Sequence, residues 1–156
     1  MARGKKIAVL GVGNILMGDE GLGVRAVEKL HGHKLPKNVS LYDAGTWLHS
    51  VLGTLEGFDK IVIVDAVKAG GKPGSIYRFT LEELEAGRKD EISFMLSLHE
   101  MDVPKAIALE KLVTKLPEEI IFLGMEPVEI KAGLELSKTV GKNIGKLVSA
   151  LKQECR

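Results

Sequence analysis

Two short runs, Ile7-Ala-Val-Leu10 and Ile61-Val-Ile-Val64, are apolar at every position instead of every second one. A strand sends successive side chains to opposite faces, so such a run needs cover on both sides, as in a parallel sheet flanked by helices. Val39-Ser-Leu-Tyr42 is a third run of the same length. Between these runs, Leu22, Ala26, Val27 and Leu30 share one helical face, and Leu48, Val51, Leu52 and Leu55 share another within residues 47–58. Strands alternating with helices predict βαβ units with right-handed crossovers. Ser75–Phe79 reads as a further strand, entered through the turn Lys72-Pro73-Gly74. It follows its predecessor too closely for a helical crossover and is expected to run antiparallel. Residues 81–90 read as a polar surface excursion, Ala106–Leu116 as a helix and Glu119–Leu123 as a strand. Val140, Ile144, Leu147, Val148 and Leu151 mark the buried stripe of a last helix, capped by Ser137. The expected fold is α/β, a twisted and mostly parallel sheet of about five strands with helices on both faces.

The 156 residues, 45% hydrophobic, supply one core, so a single domain spanning 1–156 is expected. With 22 basic and 21 acidic side chains the formal charge is +1, which implies no broad basic field and argues against a nucleic-acid partner. Arg3, Lys5 and Lys6 ahead of Ile7–Met17 imitate a signal peptide, but Asn14 interrupts the run and Asp19-Glu20 ends it, so a buried strand is the better reading. No run approaches the roughly 20 apolar residues of a membrane helix, and no membrane partner is expected. Cys155 is the sole cysteine, which excludes an internal disulfide and a cysteine zinc site and fits a reducing, cytoplasmic setting. One residue from the end, it is expected to lie in a fraying segment without a partner or a role.

Gly11-Val-Gly13 directly after the first strand invites a dinucleotide-binding reading. That fingerprint requires a third glycine where this chain has Leu16, and Asp19 and Glu20 stand where a pyrophosphate would sit. Two carboxylates there repel a phosphate. Asp19 is instead expected to cap the following helix, with Glu20 at its first position facing the crevice beyond the strand ends.

Ligands of an open parallel sheet bind beyond the carboxyl ends of its strands, near the point where strand order reverses. Glu20 follows the first strand, Asp43 ends the second and Asp65 ends the third, so all three carboxylates are expected at one edge. His99 lies in Ser97-Leu-His-Glu100, a capping-box pattern that puts its imidazole at a helix start, where the neutral, metal-binding form is favoured. Pro104 fits poorly inside a helix begun at Ser97, so the regular helix starts either there or near Asp102. His31, His33 and His49 are expected at the surface or in structural roles. Two carboxylates and one imidazole balance a divalent ion and leave coordination positions open, which alone supports a metal-dependent hydrolase of unnamed substrate.

The run Val9-Leu-Gly-Val-Gly-Asn14-Ile-Leu-Met-Gly-Asp19-Glu20-Gly21-Leu-Gly23 resembles the N-terminal signature of the nickel–iron hydrogenase maturation endopeptidases. Asp43-Ala-Gly-Thr46, Ile63-Val-Asp65-Ala66, Pro73-Gly74 and Ser97-Leu-His99-Glu100 follow in the family's order, and the similarity extends from about Ile7 to Leu151. The resemblance implies one cut near the C-terminus of a hydrogenase large-subunit precursor, made after nickel insertion. It implies Glu20, Asp65 and His99 as the residues that contact nickel already held by the precursor, with no permanently bound cofactor. It also implies Asp43 as a residue that shapes the crevice or helps activate water, and nickel-insertion accessory proteins as further partners. Two mechanisms stay open at this level. Substrate nickel polarises the scissile carbonyl while Asp65 or Glu20 takes a proton from water, or nickel only docks the substrate and paired carboxylates act as in aspartic proteases. The competing readings are a nucleotide-binding regulator, a non-catalytic metalloprotein assembly chaperone, and an amidohydrolase with its own zinc.

Overall fold

The computed structural model describes residues 4–86 and 103–156. Strands β1 (Ile7–Val12), β2 (Val39–Gly45), β3 (Lys60–Ala66), β4 (Ile76–Thr80) and β5 (Glu119–Met125) form one sheet in the order β2-β1-β3-β5-β4. All neighbours run parallel except β4, which is antiparallel to β5 as its short connection requires. Helices α1 (Leu22–Leu30), α2 (Leu48–Leu52), α3 (Leu81–Ala86), α4 (Val103–Glu110) and α5 (Lys138–Glu154) lie around it, with a 3-10 turn at Asp19–Gly21 ahead of α1. The chain steps from β1 outward to β2 and then back across β1 to β3, so strand order reverses between β1 and β3.

The continuous apolar runs are explained by two cores, one on each side of the sheet. Ile7, Val9, Val62 and Val64 pack with α1 and α5, whereas Ala8, Leu10, Ile61 and Ile63 pack with Leu48 and Leu52 of α2 and Val103 and Ile107 of α4. Every residue of β1 and of β3 is buried. Full burial of one such aliphatic side chain contributes about 1.5–3 kcal/mol. These two strands therefore form the rigid centre of the sheet, and their carboxyl ends carry the site.

Several sequence expectations need correction. The helix expected within 47–58 spans only Leu48–Leu52, because Gly53 closes it, although Leu55 remains buried beyond the end. The helix expected over Ala106–Leu116 is Val103–Glu110, with Pro104 in its first turn. Turn backbone follows at Lys111–Thr114, where the Thr114 hydroxyl donates to the Glu110 carboxylate at 2.6 Å. The first part of the expected excursion is helix α3, with Leu81 buried against the sheet. Cys155 does not fray. It is 1% exposed at the end of α5 and packs in the same core as Leu147 and Leu151, and burial raises its thiol pKa. Ser137 caps α5 as expected, accepting from the Val140 amide at 3.3 Å.

At the amino edge of the sheet, Lys60 donates to the Glu154 carboxylate at 2.8 Å and lies 3.5 Å from Glu119. Arg78 and Lys5 complete this network on Glu154 and Glu119, at 2.6 and 2.7 Å. It ties the C-terminal end of α5 to β3 and β5, at the edge opposite the site.

Candidate active site

The site is built at the switch point between β1 and β3. After β1 the chain must double back at once to bring α1 onto the sheet, and glycines make this possible. Gly13 adopts φ 129°, and a Cβ there would overlap the Glu20 carbonyl oxygen. A Cβ on Gly23 would overlap the Val64 carbonyl oxygen, so α1 begins directly against the backbone of β3. The 3-10 turn that carries Glu20 packs on β3 as a result.

Glu20 is 8% exposed and Asp65 2% exposed, so both carboxylates are withdrawn from bulk water at the ends of neighbouring strands. Asp65 Oδ1 accepts from the Ala66 amide at 2.7 Å. Its neighbours of equal parity, Ile63 and Val67, lie in the core beneath α2 and α4, which directs Asp65 to that face. Asp43 pairs with Gly11 in the β1–β2 register, at the same edge of the sheet. Tyr42 and Ala44 on either side of it pack toward α2 and α4, so Asp43 turns to the opposite face, where it is exposed. Asp65 thus lies toward α2 and α4 and Asp43 toward the other face, while Glu20 stands on the turn that leads into α1 against β3. His99, the fourth predicted site residue, lies outside the described residues.

The other histidines match their expected settings. His31 and His33 are exposed just beyond α1, and His49 Nδ1 on α2 stands 4.0 Å from Glu110. Among the described residues, no group of three or more His, Cys, Asp or Glu side chains is arranged to hold a metal ion.

Asp19 does not cap the helix that follows it, because neither the 3-10 turn nor α1 has a side-chain cap. Its carboxylate, 1% exposed, reaches instead to the β5–α5 connection and accepts from the Val128 amide at 2.9 Å. It accepts also from the Ser137 amide at 2.7 Å and the Ser137 hydroxyl at 2.8 Å. A cavity of about 610 Å³ lies beside this contact, lined by Gly18, Asp19 and residues of the 129–138 connection, and neither Glu20 nor Asp65 lines it.

Glu126 was missed by sequence reasoning. It follows β5, is buried, and its Oε1 accepts from the Ala69 and Gly71 amides and the Tyr77 hydroxyl, each at 2.9 Å. Burial, with the Glu126 carboxylate beside it, raises the Tyr77 pKa. Glu126 thereby fixes the β3–β4 connection beside Asp65. Its signal was an acid directly after a fully apolar strand, the same signal that marked Asp65. Leu16, Trp47, Val128 and Leu134, all on loops at the carboxyl edge, leave large apolar side chains exposed.

The family model described as HycI, hydrogenase maturation protease, matches residues 24–154. The hydrogenase expression/formation protein HupD of Bradyrhizobium diazoefficiens is 33% identical over 81% of this chain and 65% of its own length. The hydrogenase 2 maturation protease of Escherichia coli is 32% identical over 86% of this chain and 81% of its own length. The crystal structure of a hydrogenase 2 maturation peptidase from a Thaumarchaeota archaeon superposes with a TM-score of 0.71 at 30% identity, covering 96% of this chain and 97% of that one. The chain spans between 56% and 65% of the length of four such expression/formation proteins.

Proposed function

This chain belongs to the hydrogenase maturation protease family, and from that premise we propose that it is an endopeptidase acting on a hydrogenase large-subunit precursor. In this reading it removes the precursor's C-terminal extension once nickel has been inserted. Nickel arrives with the substrate, and Glu20, Asp65 and His99 add oxygen and nitrogen ligands to its open positions. The observation that carries the proposal is the pair of buried carboxylates, Glu20 and Asp65, flanking the switch point between β1 and β3. The family's N-terminal signature puts a carboxylate and its glycines at this turn, which supports the same assignment.

The chemistry follows from the burial of the pair. A carboxylate withdrawn from water interacts more strongly with a nearby cation or with a water it accepts from. Both help hold the substrate's metal centre, and one of the two also takes the proton of the attacking water. Asp43, exposed at the same edge of the sheet, shapes the crevice or helps activate the water. Exposed Leu16, Trp47, Val128 and Leu134 around the same edge suit a folded protein as substrate better than a small metabolite. The nucleotide-binding alternative draws no support from the turn, where the buried acid Glu20 stands directly ahead of α1, the position a phosphate would need.

The proposal is tested by incubating the protein with nickel-loaded precursors and weighing the products by mass spectrometry. Release of one C-terminal peptide by the wild type, and none by Asp65→Asn, is the expected outcome. An uncut precursor that stays bound to the wild type would favour the chaperone reading.

A further inference from the structure

Asp19 has no part in the reaction proposed above, yet its carboxylate accepts three hydrogen bonds at the site's edge. Val128 N, Ser137 N and Ser137 Oγ all donate to it across 109 or 118 residues of sequence. The donors converge on a group that can only accept, and an amide in its place would turn N–H toward N–H. The Ser137 hydroxyl also accepts from Val140, so the same atom caps α5 and grips Asp19. The positive end of the α5 dipole favours a carboxylate at that point.

We propose that Asp19 is a positioning residue for Glu20, which clamps the turn bearing Glu20 to the start of α5. The inference rests on the reading of Glu20 as a contact to the substrate's nickel. Asp19 and Glu20 are consecutive in a 3-10 turn of three residues, an element too short to hold a fixed geometry by itself. The turn's own bonds include Glu20 N to Met17 O and Gly21 N to Gly18 O, at 3.2 and 3.0 Å, and Leu22 N to Asp19 O. The β5–α5 connection adds the three bonds to Asp19 and two backbone bonds, Gly18 N to Gly133 O at 2.9 Å and Gly133 N to Leu16 O at 2.8 Å. From beneath, Gly13 packs against the Glu20 carbonyl. The turn is therefore fixed on two sides, and hydrogen bonds to a desolvated carboxylate are the strongest part of that support. Loss of the clamp releases the backbone from which the Glu20 side chain projects, while the sheet beneath stays intact.

The test measures kcat and KM for nickel-loaded precursor with Asp19→Asn, Ser137→Ala, Glu20→Gln and Leu151→Ala. Leu151, in the core at the far end of α5, serves as the destabilised control. Asp19→Asn is expected to lower kcat roughly 10–100-fold, the range seen when a supporting hydrogen bond to a metal-contacting residue is lost. Ser137→Ala should lower it less, and Leu151→Ala should lower the melting temperature but leave kcat unchanged. Wild-type kcat in both clamp variants, with Glu20→Gln inactive, overturns the inference and spares the reading of Glu20. A fall in kcat for Leu151→Ala that tracks its melting temperature also overturns it, since general loosening then suffices. Wild-type cleavage by Glu20→Gln removes the reading on which the inference rests. If Asp19→Asn does not fold, Ser137→Ala alone decides between the same outcomes.

Discussion

Asp65 is 2% exposed, with the Ala66 amide on one carboxylate oxygen at 2.7 Å. Asp65→Asn keeps the volume and can keep an oxygen toward Ala66, so its cost in stability should be near that of one altered hydrogen bond, about 1 kcal/mol. Cleavage should nevertheless fall by roughly 10²–10⁴, the usual contribution of a positioned acid or base. Thermal melts run beside cleavage assays check both halves, and a fold lost with the activity would make Asp65 a structural residue. Cys155 gives the opposite profile. Its thiol sits among apolar side chains, so Cys155→Ser places a hydroxyl there and should cost about 1–3 kcal/mol in chemical denaturation, with cleavage unchanged. Near-termini fray by default, and nothing local in the sequence signals that α5 carries its last turn back onto the core. Asp19 was hidden for a related reason. A carboxylate before a helix looks like a cap, and its true partner, Ser137, lies 118 residues away.

At the scale of elements, the loop from β1 to α1 determines where Glu20 stands. Gly23 lets α1 start against the Val64 carbonyl, and no side chain fits between them. Gly23→Ala should force α1 away from β3 and cost about 1–3 kcal/mol, as overpacking does. Because the Glu20 turn leads directly into α1, cleavage should fall as well, whereas Lys29→Ala on the outer side of α1 should retain both stability and cleavage. Denaturation curves and initial rates for the two variants check this contrast, and unchanged rates in Gly23→Ala would separate the α1 start from the site. The inner strands β1, β3 and β5 were legible because burial on both faces leaves an unbroken apolar run. Helix ends were not. Leu55 and Leu116 continue the apolar spacing past the ends of α2 and α4, since turns can also bury a leucine. Which face an acid takes at a strand end depends on register and burial on both sides, and this is why Asp43 and Asp65 looked equivalent until the sheet was assembled.

For the molecule as a whole, the two edges of the sheet have divided tasks. The carboxyl edge carries Glu20 and Asp65, and the amino edge is tied by Lys60, Arg78 and Lys5 to Glu154 and Glu119. The Lys5 hydrogen bond holds the Glu119 carboxyl below its ordinary value near 4.5. For Glu154, burial pushes upward, but the bonds from Arg78 and Lys60 outweigh it and the net shift is also downward. The folded chain then binds these protons less readily than the unfolded chain. Their stabilising contribution is complete above about pH 4.5 and is lost as pH falls through the lowered values. Denaturation midpoints measured downward from pH 7 should therefore drop below about pH 4.5, and Glu154→Gln should flatten part of that drop. A wild-type midpoint constant to pH 3 would mean that the amino-edge network does not support the fold. At the other edge, Glu20 and Asp65 are expected to act only when the substrate supplies the metal between them. The direct test is to treat the enzyme with a chelator, dialyse it, and mix it with nickel-loaded or verified nickel-free precursor, following tail release by mass spectrometry. Cutting of the nickel-loaded precursor alone, without added metal, is the result this account predicts, and rapid cutting of the nickel-free precursor would contradict it.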